Sequence, residues 1–494
     1  MERGRTGIAR WLVVLTRCVP LYLLLLGLLA SCAVGPNYNP AKNKVASAFA
    51  NSAQPGLATN DTVIAWWRGF NDAQLNDLVD RAIASNHDLR IATANLLEAR
   101  ALRRQTQFDL LPTINADAGY ANNRFSRAAT FNAPGVGRNQ ELYDAGFDAT
   151  WELDFFGRVR RSVQAGTAEV QAAEANRRDA LVSLISEVAR NYFELRGAQN
   201  ELGVARRNAE NQRETLNITQ ARLDGGRGTE LDVARARAQL NSTLASIPPL
   251  ETAAARARHR LGVLTGREPT ALLAELELSV PLPALPPLVS ISNPEALLRR
   301  RPDVRVAERR LAAATARIGV AVADLFPRVI FNGKVGLEAN SFSGLAQAGS
   351  DTWSFGPRIS WAALDLGHVR ARILAADARA EAALAAYQRT VLTTLEETED
   401  ALVGFGREQA RREFLVETVR ASQTAATLAR QRFDSGAADF LTVLDSERVL
   451  LEAQDQLAQS QTRSATALVA VYKALGGGWE SEENARSSGA TTGP

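Results

Sequence analysis

The 494-residue chain has only two cysteines, Cys18 and Cys32, both at its extreme N-terminus. Its body therefore offers no disulfide and no cysteine metal site. Histidine is nearly as scarce: His87, His259 and His368 stand far apart in different segments, so no zinc cluster and no other metal site is expected. An excess of either charge is also missing. A net charge of +3 is too small to argue for a nucleic-acid partner. Nearly all the positive charge is arginine, interspersed with acids, which reads as solvated helix faces. Proline is absent from 136 to 247 and from 358 to 493, which leaves room for very long helices.

The N-terminus reads as a processing signal. Arg3, Arg5, Arg10 and Arg17 form a basic region, and Val19 to Ala30 is an almost purely apolar run. Leu29-Ala30-Ser31-Cys32 resembles the bacterial lipoprotein box. That resemblance implies that Cys32 becomes the first mature residue and carries a diacylglycerol and an N-acyl chain, with no other cofactor. Ala33, not aspartate, follows, which by similarity to lipoprotein sorting favours the outer membrane. Each buried methylene adds ~0.8 kcal/mol, so two or more acyl chains anchor stably. A plain transmembrane anchor is the alternative, since Trp11 to Ala30 is long enough to span.

The rest of the chain is duplicated. Asp109-Leu110-Leu111-Pro112 returns as Asp324-Leu325-Phe326-Pro327, an offset of 215. Trp151, Gly157, Val159 and Arg160 return as Trp361, Gly367, Val369 and Arg370, and Arg222-Leu223-Asp224-Gly225-Gly226 as Arg432-Phe433-Asp434-Ser435-Gly436, both at 210. The expected organisation is a signal peptide (1–31), a lipidated linker (32–71), repeat 1 (72–266), a second linker (267–292), repeat 2 (293–476) and a disordered tail (477–494).

Each repeat holds two alternating stretches. Ile114, Ala116, Ala118 and Tyr120 oppose Thr113, Asn115, Asp117 and Gly119; Tyr143, Ala145, Phe147, Ala149 and Trp151 oppose Asp144, Gly146, Asp148 and Thr150. In repeat 2, Val329, Phe331, Gly333, Val335 and Leu337 alternate with Ile330, Asn332, Lys334 and Gly336, and Trp353, Phe355, Pro357, Ile359 and Trp361 with Ser354, Gly356, Arg358 and Ser360. Strict alternation predicts strands with one apolar face. Their hairpins are expected at about 113–152 and 328–362, with strands long enough to cross a bilayer when tilted.

Long helical hairpins are predicted at about 157–265 and 367–475. The first arm alone would run about 98 Å at 1.5 Å per residue. Leu181, Ile185, Val188, Tyr192 and Leu195 form a coiled-coil seam, repeated as Val391, Leu395, Thr398, Leu402 and Phe405. Glycine after an apolar run marks each turn, at Gly225-Gly226 and Ser435-Gly436. Pro248-Pro249 should kink or break the returning helix of repeat 1.

Four strands cannot close a membrane barrel alone, because lipid tolerates no unpaired edge and single-chain barrels start at about eight strands. Sharing among three chains gives twelve. At this point the residues resemble the TolC/OprM-type outer membrane factors, in their NodT-like lipoprotein branch. The similarity rests on Cys32-Ala33-Val34-Gly35-Pro36-Asn37-Tyr38, on Trp66-Trp67 followed by Phe70, Asp72, Leu75 and Leu78, and on Asn86-His87-Asp88-Leu89. Further support comes from Trp151-Glu152-Leu153-Asp154-Phe155-Phe156-Gly157, Arg301-Pro302-Asp303-Val304 and Leu441-Thr442-Val443-Leu444-Asp445. The resemblance implies an α+β membrane protein: a homotrimer with a twelve-stranded transmembrane β-barrel continued by a long periplasmic α-helical barrel. It further implies a periplasmic membrane-fusion adaptor that docks at the hairpin tips Gly225, Gly226, Ser435 and Gly436, an inner-membrane pump of RND type, and outer-membrane lipid around the barrel. By the same resemblance Leu441 and Asp445 line a constricted periplasmic gate, with Asp232 at the comparable tip of repeat 1.

No catalytic constellation is found, and no enzyme activity is expected. Gly225-Gly226-Arg227-Gly228 lacks the Gly-Lys-Ser/Thr ending of a phosphate loop and follows a helix. Glu396-Glu397 and Glu399-Asp400 read as a solvated coiled-coil face. The expected role is a passive exit duct for drugs or other small molecules. A type I protein-secretion outlet and a non-channel structural lipoprotein remain as alternatives.

Overall fold

A computed structural model describes residues 33–40, 44–54, 57–59, 64–126, 138–286 and 289–480. Cys18 and Cys32, and with them the signal and lipid-attachment readings, lie outside the described residues. In chain order the elements are β1 (Leu57–Thr59), α1 (Ala73–Ser85), α2 (His87–Phe108), β2 (Thr113–Arg124), β3 (Asn139–Leu153), α3 (Arg158–Asp224), α4 (Glu230–Leu264), β4 (Val289–Ile291), α5 (Pro294–Arg300), α6 (Pro302–Ala323), β5 (Arg328–Ala339), β6 (Asp351–Ser360), α7 (Leu366–Asp434) and α8 (Phe440–Ala474). Contacts divide the chain into two units. One comprises the chain up to Ala41, Leu96–Ala173 and Val306–Tyr387; the other comprises Lys42–Asn95, Glu174–Arg305 and the chain from Gln388.

The first unit is built on one antiparallel sheet of order β2-β3-β5-β6. Its registry aligns Ala116, Phe147, Val335 and Trp353 across all four strands, with Ile114, Ala149, Gly333 and Phe355 in the next row of that face. Phe147, Val335, Trp353, Phe355 and Ile359 are exposed, so no described residue covers this apolar face. The opposite face aligns Asn115, Asp148, Lys334 and Ser354. There the Asn115 amide donates to Asp148 at 3.2 Å and Thr150 to Asn332 at 3.4 Å. Each strand gives this polar face one glycine: Gly119, Gly146, Gly336 and Gly356. Gly146 and Gly336 are paired, and a Cβ on either would meet a carbonyl oxygen of the facing strand at 2.6 Å.

The duplication is carried into the strand bases. The Trp151 indole donates to the Leu110 carbonyl at 3.0 Å, and Trp361 does the same to Leu325 at 3.0 Å. Below β3, Asp154 accepts from the first backbone amides of α3, Val159 at 3.1 Å and Arg160 at 2.8 Å. A carboxylate there suits the positive end of a helix.

The second unit holds the main core. The seam residues Leu181, Ile185, Val188, Tyr192 and Leu195 are fully buried, joined by Leu402, Phe405, Leu468 and Tyr472. Thr398, the polar seam residue of repeat 2, is also buried, and its hydroxyl donates to the Thr394 carbonyl at 2.8 Å.

Five expectations are corrected here. The linker expected at 32–71 is packed: a 3-10 turn at Trp66–Phe70 buries both tryptophans, with Trp66 stacked on Tyr472 at 4.9 Å. β1 pairs in parallel with β4, which lies inside the expected linker 267–292. The expected tail 477–494 starts later, since Arg178 lies over the Trp479 ring at 4.7 Å and Arg300 pairs with Glu480 at 2.7 Å. Residues 481–494 lie outside the described residues. Pro248 and Pro249 do not break α4, which is continuous from Glu230 to Leu264. The missing amide hydrogens remove two bonds from a helix of 35 residues, too few to end it. Finally, some arginines and acids assigned to solvated faces are structural. Arg161, Arg196 and Arg301 are buried. Arg301 binds Asp303 at 2.6 Å and Glu397 at 2.8 Å, while Glu399 accepts the Ala50 amide at 2.7 Å.

Candidate functional site

Both helical hairpins turn by the same device. At the end of α3, Gly226 has φ +66° and the Arg227 amide returns to the Arg222 carbonyl at 2.8 Å. At the end of α7, Gly436 has φ +77° and the Ala437 amide returns to Arg432 at 2.7 Å. The positive φ is why glycine stands at that position in each copy, whereas Gly225 and Ser435, one residue earlier, need not match. This also disposes of a phosphate loop: Gly225 to Gly228 follow the carbonyl end of a helix, which repels anions.

The return helices start from caps. Thr229 accepts the Asp232 amide at 3.2 Å, and its hydroxyl donates to the Asp232 carboxylate at 2.7 Å. Asp439 accepts from the Thr442 amide at 3.0 Å and hydroxyl at 2.6 Å, which holds its carboxyl below the usual range. Asp232 is thus engaged in the cap of α4.

Leu441 and Asp445 lie one turn apart on α8, and both are exposed. Leu441 has no place in the chain's own core, with 48% of its surface open. The neighbouring Phe440 does that work, buried against Phe433 at 5.6 Å between ring centres. Asp445 accepts from Arg448 at 2.9 Å, and Arg448 also reaches Glu452 at 2.7 Å.

Cross-links between the two hairpins near the tips were not anticipated. Arg222 lies 3.9 Å over the Phe433 ring and 3.8 Å from Asp434. Arg430 crosses to the first hairpin by donating to Thr215 at 2.8 Å, and within its own hairpin it donates to Glu447 at 2.9 Å. It lines a cleft of about 330 Å³ with Asn208, Gln212, Gln423 and Leu451. Burial raises the Glu447 carboxyl, and Arg430 opposes that shift.

Glu201 on α3 was also missed. Burial, and then the Asp455 charge on α8, push its carboxyl up to about 7, with Arg463 opposing. Because the folded state holds this proton more tightly than the unfolded chain, Glu201 lowers stability as pH rises from the ordinary glutamate range through 7. Glu201→Gln should therefore raise stability by on the order of 1 kcal/mol at pH 8 and leave it unchanged at pH 4. Thermal melts of both forms at the two pH values check this.

The three histidines sit on separate helices, His87 on α2, His259 on α4 and His368 on α7. Among the described residues no three His, Cys, Asp or Glu side chains gather as a metal site. No helix among them is long and apolar enough to cross a membrane.

The family model described as outer membrane efflux protein matches residues 78–267 and 293–477, one match per repeat. The toluene efflux pump outer membrane protein TtgI of Pseudomonas putida is 31% identical over 478 residues, covering 95% of this chain and 99% of that protein. The solved outer-membrane channel OprN superposes with a TM-score of 0.84 at 43% identity, over 91% of this chain and all of the other. The MtrE outer membrane channel of Neisseria gonorrhoeae, in its open state, gives 0.78 at 30% identity, over 91% and 99%.

Proposed function

The chain belongs to the outer membrane efflux protein family, and we propose that three copies of it form the passive exit duct of a tripartite efflux pump. It is an outer membrane channel of an efflux system. The observation that carries the trimer is the sheet itself. Among the described residues its apolar face is uncovered, and its outer strands β2 and β6 each have one unpaired edge. Hydrocarbon tolerates an apolar face but not an open edge. Joining β6 of one copy to β2 of the next removes every edge. Three copies then give twelve strands, with the Asp148 and Lys334 face turned to the lumen.

In this reading Cys32 carries diacylglycerol and an N-acyl chain, and the hairpin turns at Gly225-Gly226 and Ser435-Gly436 receive a periplasmic adaptor. An inner-membrane pump of RND type supplies the energy, since the duct needs a passage and a gate and no reactive group. The toluene named for TtgI favours small molecules over proteins as cargo. Leu441 and Asp445 form the resting constriction, with Asp232 the next candidate.

Two measurements test this. Detergent-solubilised protein should have the mass of a trimer, and a stable folded monomer with β content would refute the shared barrel. Mass spectrometry of the mature N-terminus should find a lipid-modified Cys32; an unmodified N-terminus upstream of Cys32 would count decisively against the anchor.

A further inference from the structure

Arg161, in the first turn of α3, is buried to 3% of its surface. A guanidinium so placed normally faces a carboxylate. The described hydrogen bonds of Arg161 go instead to five neutral oxygens. Its Nε donates to the Val34 carbonyl at 3.0 Å. Nη1 donates to the Asn37 side chain at 2.9 Å and to Gln164 at 2.9 Å. Nη2 donates to the carbonyls of Ala33 at 3.3 Å and Gly35 at 3.0 Å. Arginine has five N–H groups, so its donor set is filled. Four of the five acceptors belong to one short stretch, Ala33 to Asn37.

The surroundings are cut to fit that stretch. A Cβ on Gly319 would sit 2.9 Å from the Arg161 stem. A Cβ on Gly35, at φ +86°, would meet the Gly319 Cα at 2.5 Å. One on Gly157 would meet the Ala33 Cα at 2.6 Å. The Val34 amide completes the seat by donating to the Phe156 carbonyl at 3.1 Å. Phe156 follows β3 and stacks at 4.6 Å on Phe326, which precedes β5. The seat therefore lies at the base of the two central strands.

We propose that Arg161, with Gly157 and Gly319, is a receptor for the backbone of Ala33–Asn37, and that its occupation fixes where the lipid on Cys32 enters the membrane. The second half rests on the lipidation reading above. Ala33 is bonded to Cys32, whose Cα is about 3.8 Å from its own. Acyl chains on that cysteine then start one residue from the clamp. Arg161 is thus a positioning residue. It reads carbonyl oxygens, so it holds the segment whether or not the lipid is present.

Hydrogen exchange followed by mass spectrometry on the full chain in detergent tests this. In wild type the peptide covering 33–40 should be protected. Arg161→Met should speed its exchange about tenfold while peptides from the sheet and from α8 stay unchanged. Arg161→Lys, with three donors instead of five, should fall between. Gly35→Val attacks the same contact from the ligand side and should give the same local loss. If Arg161→Met loosens the whole molecule, Gly35→Val decides: local loss supports the clamp, and unchanged protection overturns it. Cys32→Ser should keep the segment protected. Protection that vanishes with the lipid would mean that the lipid, not Arg161, holds the segment. Conductance in a planar bilayer, read on the same samples, tests the channel reading separately.

Discussion

Phe147→Arg should cost the folded barrel about 2–4 kcal/mol per copy, the range for arginine near mid-bilayer on the lipid face. Phe147 is the residue for this test because its row is the apolar one throughout, with Ala116 and Val335 beside it and Trp353 beyond. It is exposed, with no described residue covering it. In a trimer the cost is incurred three times, so failure of assembly is the expected outcome, read as loss of the folded band in a gel-shift assay. Asp148→Asn, one residue along on the opposite face, should fold and insert as wild type does, since an amide in a wet lumen loses little. Equal tolerance at 147 and 148 would mean that the two faces have been assigned wrongly.

The second large effect is expected at the tip. Leu441→Ala with Asp445→Ala should raise single-channel conductance at least about twofold, because a narrow pore conducts in proportion to its cross-section. Three carboxylates converging on an axis would repel, so closure has to come from helix packing, with Leu441 filling the constriction. Leu441 is free to do so: the buried residue at this turn is Phe440. Asp445→Ala alone should weaken cation selectivity, by removing the acid and releasing Arg448, which keeps Glu452 as a partner. If conductance and selectivity both stay at wild-type values in the double variant, the constriction lies elsewhere, and Asp232 becomes the residue to test.

The strands and turns were legible because each carries a period or a conformational requirement. Alternation over ten residues or more separates two faces, and a turn that needs positive φ advertises itself by glycine, as at Gly226 and Gly436. What was missed has no period. β1 and β4 are three residues each and pair across more than two hundred positions, so neither alternates long enough to be read. Trp66 and Trp67 sit on a 3-10 turn of five residues, which leaves no helical stripe, and only their partners in the core reveal their role. The arginines were misjudged for a different reason. A guanidinium that binds backbone carbonyls, as Arg161 does, has the same neighbours in sequence as one that faces water. Glu201 escaped likewise, because its carboxylate neighbour Asp455 is contributed by another helix. Of the candidate site, the turns and the shared helix face of Leu441 and Asp445 were accessible from spacing; the exposure of Leu441 was not. The cross-links of Arg222 and Arg430 were not, since they join repeat 1 to repeat 2.

The glycine that each strand sets on the polar face bears on what a bilayer recording will measure. Gly119, Gly146, Gly336 and Gly356 are four positions per copy where no side chain projects. Twelve such gaps around a trimeric lumen widen the bore and leave backbone and water where dehydrating groups would stand. As an electrical element, the membrane segment is then a low resistor in series with the tip. If Leu441 and Asp445 form the constriction, most of the applied voltage falls across them, and the current is nearly blind to the barrel. Filling an open gap, for instance with Gly356→Phe, where a Cβ would meet nothing within 4 Å, would move part of the voltage drop into the membrane and make the same recording less sensitive to the gate.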